Sequence, residues 1–141
     1  MERIRNKIFS VDEANRLVPA LEGALETLVG IARHATTLRR EIEVLGAIAG
    51  SGASEESPDV RSLREKEKLQ NESLERFRAE LAAIARHGCI LRDLELGLVD
   101  FYTMAQGRVV CLCWRRGEPR IEHWHPLDEG FSSRRPLSEL L

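Results

Sequence analysis

The apolar positions of this chain fall into two regimes. From Ala14 an apolar row runs through Leu17, Leu21, Ala24, Leu28, Ile31, Ala35, Leu38, Ile42 and Leu45 to Ala49, in steps of three and four. Such a row is a seam that repeats about every seven residues, the mark of a coiled-coil-like helix. Leu25, Val29 and Val44 widen the stripe. Ser10 and Glu13 form a capping box at its start, the serine oxygen taking a free N–H and the glutamate reaching back. Asp12 and Glu13 also suit the positive end of the helix dipole. At the rise of an α-helix this element would be roughly 55 Å long, with Pro19 bending its first turns. A flexible connector near residues 50–57, rich in glycine and serine, follows. Ser57 then caps a second helix with Pro58 at its first position. Its seam reads Val60, Leu63, Glu67, Gln70, Leu74, Phe77, Leu81 and Ile84, and Gly88 closes it as a left-handed stop.

The two helices are expected to fold back as an antiparallel hairpin, with Leu45 near Leu63, Ile31 near Phe77 and Ala24 near Ile84. In that alignment Leu38 and Ile42 face Gln70 and Glu67. Apolar groups opposite polar ones waste burial. Leu28, Leu38 and Ile42 are therefore assigned to a contact with a second copy, a homodimer being the commonest closed assembly.

After Gly88 the period shortens to that of strands. Residues 89–92 read as a short strand and 93–97 as a turn in which Gly97 takes positive φ. Residues 98–104 form a second strand, and Gln106-Gly107 a tight hairpin connection. Residues 109–115 and 120–125 make the third and fourth strands, joined across 116–119, and the tail over 126–141 reads as irregular. The fold class is then α+β. A long antiparallel helical hairpin over residues 1–88 packs on a small three- to four-stranded antiparallel sheet with its tail, residues 89–141, as one domain.

Simple hairpin registers put Val99, Phe101, Thr103, Val110, Leu112, Trp114, Ile121, His123 and His125 on one apolar face. The other holds Leu98, Asp100, Tyr102, Cys111, Cys113, Arg115, Arg120, Glu122 and Trp124, with Asp100 paired to Arg115 in a cross-strand charge ladder. That register governs the metal question. Cys111 and Cys113 followed by His123 and His125 look like zinc ligands, and zinc needs its donors converging at about 2.0–2.3 Å. On opposite faces they cannot converge; a loop longer or shorter by one residue would bring them together. The remaining option is a divalent-metal site at the end of the sheet, built from His123, His125, Asp128 and Glu129. Asp93, Asp100, Arg115, Glu118 and Trp124 are further candidates, although Asp93 is also a natural turn cap. Cys113 reads as buried filler beside Trp114, and His34 and His87 as helix-surface residues. Arg134 and Arg135, with Arg115, Arg116 and Arg120, make a small basic rim suited to an anion.

Composition narrows the field. The 43% apolar content supports a packed core, while 31% charged and 5% aromatic residues favour long solvated helices. A net charge of −2 argues against nucleic acid as a partner. No apolar run is long enough to span a bilayer, and the first residues lack a signal peptide's apolar core, which points to the cytoplasm. Three cysteines, an odd number, form no disulfide framework. No nucleophile elbow, phosphate loop or HExxH is present, so no reaction is legible.

Several stretches resemble a bacterial family known as domain of unknown function 2203. They are Phe9-Ser10-Val11-Asp12-Glu13-Ala14-Asn15, Asp93 to Phe101, Cys111-Leu112-Cys113-Trp114-Arg115, Gly117-Glu118, Trp124-His125 and Leu127-Asp128-Glu129-Gly130-Phe131. The resemblance covers nearly the whole chain, with Tyr102 standing where that pattern has a proline. It implies a shape and motif positions, and no activity. The leading expectation is a cytoplasmic homodimeric scaffold or interaction module. Its rival is a metal- or small-anion-binding protein, with hydrolysis as one use of the site.

Overall fold

The computed structural model describes residues 7–50, 54 and 56–140. Two long helices, α1 (Val11–Ala49) and α2 (Pro58–Arg86), form a hairpin. They are followed by β1 (Ile90–Asp93), β2 (Leu98–Ala105), β3 (Arg108–Arg115), β4 (His123–His125) and β5 (Arg135–Pro136). The strands form one antiparallel meander in the order β1-β2-β3-β4-β5. The α+β class is as expected, with one strand more: the tail, expected to be irregular, supplies β5 and two short 3-10 turns. Among the described residues no helix is long and apolar enough to cross a membrane.

The helix starts follow the sequence. Ser10 Oγ accepts from the Glu13 N–H at 3.1 Å, and the Ser10 N–H donates to Glu13 Oε1 at 3.1 Å, the reciprocal capping box. The Lys7 ammonium, 2.8 Å from Glu13, and the Ser10 donors hold that carboxyl down from 4.5 to about 2. Ser57 Oγ accepts from the Val60 N–H at 3.2 Å and caps α2. Residues 51–53 and 55 of the expected flexible connector lie outside the described residues.

The chain divides into two compact units, one of Leu28–Glu80 and one of Met1–Thr27 with Leu81–Leu141. In the helical unit, Lys66 is paired with Glu41, which agrees with the antiparallel alignment. The seam of α2 keeps Leu63, Gln70, Phe77 and Ile84 inward as expected and changes phase only where Glu67 and Leu74 were expected. Ser73 is buried and Lys66 half-buried, while Glu67 is exposed and Leu74 is 46% exposed. A row of three-and-four steps can be continued in two phases, and Leu74 attracts the wrong one; Lys66, reaching Glu41, takes the inward place instead of Glu67. Leu28 and Leu38, assigned above to a dimer contact, are 0% and 3% exposed in a single chain, and Ile42 is half-buried. They have little surface left to offer a partner. The large apolar residues of α1 that are exposed are Val44 and Ile48.

In the sheet unit, β2 and β3 pair without interruption from Leu98↔Arg115 to Ala105↔Arg108. Gln106 and Gly107 both take positive φ, 52° and 76°, in the two-residue turn that matches strand twist. Val99, Phe101, Thr103, Val110, Leu112 and Trp114 are all buried on one face, as expected. Phe9 meets Phe101 edge to face at 5.2 Å. The Phe9 N–H donates to the Tyr102 carbonyl at 2.7 Å, pinning the chain just before α1 to the edge of β2.

The capping box yields a prediction. Ser10→Ala should lower stability to urea by about 1 kcal/mol. Glu13→Gln should also destabilise at neutral pH. A carboxyl whose folded pKa is depressed stabilises fully above its ordinary value of 4.5 and loses that contribution as pH falls through about 2. The gap between wild type and Glu13→Gln should therefore close on acidification across that window; a gap independent of pH would refute the assignment.

Candidate metal centre

The site is set by how the chain returns from β3 to β4. A four-residue loop over 116–119 would have paired Arg115 with Arg120. The observed pairs are instead Cys111↔His125, Leu112↔Trp124 and Cys113↔His123, one residue out of step with that register. The reason lies in the segment between the strands. The Glu118 N–H donates to the Arg115 carbonyl at 3.0 Å, and the Glu118 carbonyl accepts from Trp114 Nε1 at 2.9 Å. The Ile121 N–H donates to Asn15 Oδ1 of α1 at 2.7 Å, so the backbone there pairs with a helix side chain and not with β3. The chain rejoins the sheet only at His123.

Opposed residues of an antiparallel pair share a face. The histidines of β4 therefore lie with the cysteines of β3, and Trp124 lies with the apolar set. This reverses the assignment of His123, His125 and Trp124 made from simple registers. Asp100 joins the same face through its pairing with Cys113. The face expected to be mixed is buried as well: Asp100, Cys111, Cys113 and His125 are each no more than 2% exposed. One donor atom each from Asp100, Cys113 and His125 lies within 4.8 Å of the others. These three residues come from three adjacent strands.

Each member is held by its neighbours. His125 Nδ1 lies 2.8 Å from the Pro126 carbonyl oxygen, which only accepts, so Nδ1 carries the hydrogen and donates. This turns Nε2 inward, 3.0 Å from Asp100 Oδ2. Arg92 Nε donates to the same oxygen at 2.9 Å. Asp100 thus pairs with Arg92 and not with Arg115, whose guanidinium lies over the Phe131 ring. Burial, reinforced by the Asp100 carboxylate, pushes the Cys113 thiol up to about 12. Burial also raises Cys111 and Cys89 to about 11. A nucleophilic cysteine needs the opposite environment, so these are resting thiols. The imidazole also presents Nε2, not Nδ1, to the carboxylate, unlike the order of a catalytic triad.

A cleft of about 310 Å³ opens onto this group, lined by Arg92, Leu98, Leu127, Asp128, Glu129 and Phe131 among others. Asp128 and Glu129 thus border the site without joining the close donor group. His123 Nδ1 is taken up by Arg134 Nη2 at 2.9 Å. That same nitrogen lies 2.7 and 2.8 Å from the two Glu118 oxygens and 3.3 Å from the Cys113 carbonyl. Glu118 and Arg134 therefore tie the tail to the β3–β4 connection. Asp93 Oδ1 accepts from the Leu96 N–H at 2.9 Å and is a turn cap. His34 and His87 are exposed, as expected. Of the basic rim, Arg120 is paired with Glu122, Arg116 lies near Glu22, and Arg135 lies near Glu129.

Sequence reasoning placed Cys113 outside the site and did not single out Arg92. For Cys113 the signal was present: Cys-x-Cys and His-x-His share a face once the loop shifts by one. For Arg92 no local pattern marks its reach to Asp100.

Two outcomes check this description. The three thiols of the metal-free, reduced protein should resist an aromatic disulfide reagent at pH 8 and react only on unfolding; prompt labelling of Cys113 in the native state would contradict its burial. Glu118→Ala should cost about 1–3 kcal/mol in urea unfolding by leaving the largely buried Arg134 guanidinium without its carboxylate.

The comparisons with known proteins bear on the whole chain. No curated protein and no solved structure matches it. A family model described as "Uncharacterized conserved protein (DUF2203)" matches residues 7–137. That span takes in the capping box, both helices, all five strands and the three donor residues, and the chain belongs to this family.

Proposed function

We propose that this protein binds a divalent transition-metal ion through Asp100, Cys113 and His125 and presents it to the adjoining cleft. The observation that carries the reading is the buried mixed donor set, with its donor atoms within 4.8 Å of one another. Donors around one tetrahedral ion sit about 3.3–3.8 Å apart, so a modest closing of the group suffices. With Nδ1 donating to Pro126, a neutral ring would face Asp100 Oδ2 acceptor to acceptor. Only a cation between them, a proton or a metal ion, relieves that repulsion. A ring nitrogen donating to a backbone carbonyl is also the arrangement that orients ligating histidines.

The donor types narrow the ion. A thiolate with an imidazole and one carboxylate suits zinc, cobalt or nickel better than magnesium or calcium. Three protein donors leave one side of a tetrahedral ion open, the pattern of sites that act on a ligand. A bound ion would supply Lewis acidity at that open side. The chain supplies the rest: Asp100 and Cys113 bring negative charge, Arg92 fixes Asp100, Pro126 fixes the imidazole, and Leu98, Leu127 and Phe131 limit water. A homodimeric scaffold has less support, because Leu28 and Leu38 are already covered within one chain.

Elemental analysis of the untagged, reduced protein equilibrated with zinc should find about one equivalent. His125→Ala and Cys113→Ser should each lose most of it. Free ion at about a hundredfold excess over its dissociation constant should add about 2.7 kcal/mol of stability, removed again by a chelator. Wild-type protein that takes up no zinc, cobalt or nickel would sink the reading.

A further inference from the structure

The cleft has a chemistry of its own beyond the ion. Arg92 lines the cleft beside the donor group, with its side chain 46% exposed, its Nε donating to Asp100 and its guanidinium also interacting with Cys111. A guanidinium carries five donor hydrogens in a planar fork that matches a carboxylate. A divalent ion held by one carboxylate and one thiolate has no net charge, so Arg92 leaves the neighbourhood of the donor group positive. The rim is the reverse: Asp128 and Glu129 line it, and Glu129 has Arg135 beside it at 3.7 Å. The walls between are Leu98, Leu127 and Phe131. The Arg134 and Arg115 guanidiniums lie 5.0 and 5.7 Å from the Phe131 ring centre.

We infer that the cleft receives a small monocarboxylic acid with an apolar tail. Its carboxylate lies between Arg92 and the open side of the ion, and its tail lies against Leu98, Leu127 and Phe131. The inference rests on the metal reading above. Three features select this class. One exposed guanidinium beside the donor group asks for an oxyanion. The acids at the rim penalise a multiply charged one such as phosphate. The apolar walls favour a hydrocarbon body, and a cavity of about 310 Å³ is at the small end of ligand sites.

The test uses the full chain loaded with cobalt(II), whose visible absorption reports the ion's donor set. Butyrate, acetate, inorganic phosphate and butylamine are titrated separately. Butyrate is expected to shift the cobalt bands saturably, acetate more weakly, and phosphate and butylamine least. Arg92→Gln, loaded with cobalt and read against its own starting spectrum, should weaken butyrate about tenfold or more, the loss expected for a charge-assisted contact. Arg92→Lys should recover part of it. Phe131→Ala should weaken butyrate toward the level of acetate while leaving acetate unchanged. A cobalt-loaded protein whose bands ignore every carboxylate, an Arg92→Gln variant that binds butyrate as wild type does, or tighter binding of phosphate would each overturn the inference with the metal reading intact. Absence of any cobalt spectrum would overturn the metal reading, and this inference with it.

Discussion

Between Arg115 and His123 the backbone leaves the sheet, and the hydrogen bonds made there decide which side chains of β4 stand opposite those of β3. Asn15 of α1 takes the Ile121 N–H, while Glu118 folds back on Arg115 and Trp114. Side chains alternate along a strand, so a slip of one residue moves a whole set to the other face. With the slip, two histidines join two cysteines and a carboxylate, and Trp124 joins the core. Without it the same residues could not meet. A side chain on the first turns of a helix thus helps determine the chemistry of a distant strand.

The buried polar group is consistent only as a set. An unpaired carboxylate as deeply buried as Asp100 would be costly. Arg92 approaches it from the half-exposed side and His125 from within, each at a hydrogen-bond distance. Two thiols on the same face remain protonated because that carboxylate and their burial both oppose a further negative charge. The face therefore holds a carboxylate, the Arg92 guanidinium beside it, an imidazole and two protonated thiols. A divalent ion reverses this balance: it favours the thiolate that the resting site disfavours. A proton and a bound metal ion would compete for the same atoms.

The chain's local patterns carried most of the fold. The three-and-four spacing, the Ser10 and Ser57 caps, the Gln106-Gly107 turn and the alternation of β2 and β3 all act between near neighbours, and each is legible as written. What failed was long-range. The phase of α2 turned on Lys66 meeting Glu41, a contact between helices. The register of β4 turned on Asn15 meeting Ile121, a contact between residues far apart in the chain. Pairing of the tail as β5 followed from β4 being in place. The site was legible as a list of residue types, and His125 was named in it. Its membership was not, because membership depends on the one register that local spacing could not supply.

The two faces of the sheet are finished by different means. The apolar face is closed by bulky groups, Phe9 on Phe101 and the Trp114 and Leu112 side chains among them, and such packing is insensitive to small shifts. The polar face borders the tail, and the tail is held by directional contacts. They include the two-residue β5, the Leu137 N–H on the Glu122 carbonyl, and Arg134 on Glu118, His123 and the Cys113 carbonyl. Arg134 Nε in the tail and Trp124 Nε1 on the apolar side, both buried, have no hydrogen-bond partner among the described residues. The donor group of Asp100, Cys113 and His125 is buried, and it borders a cleft that residues 127–131 of the tail help to line.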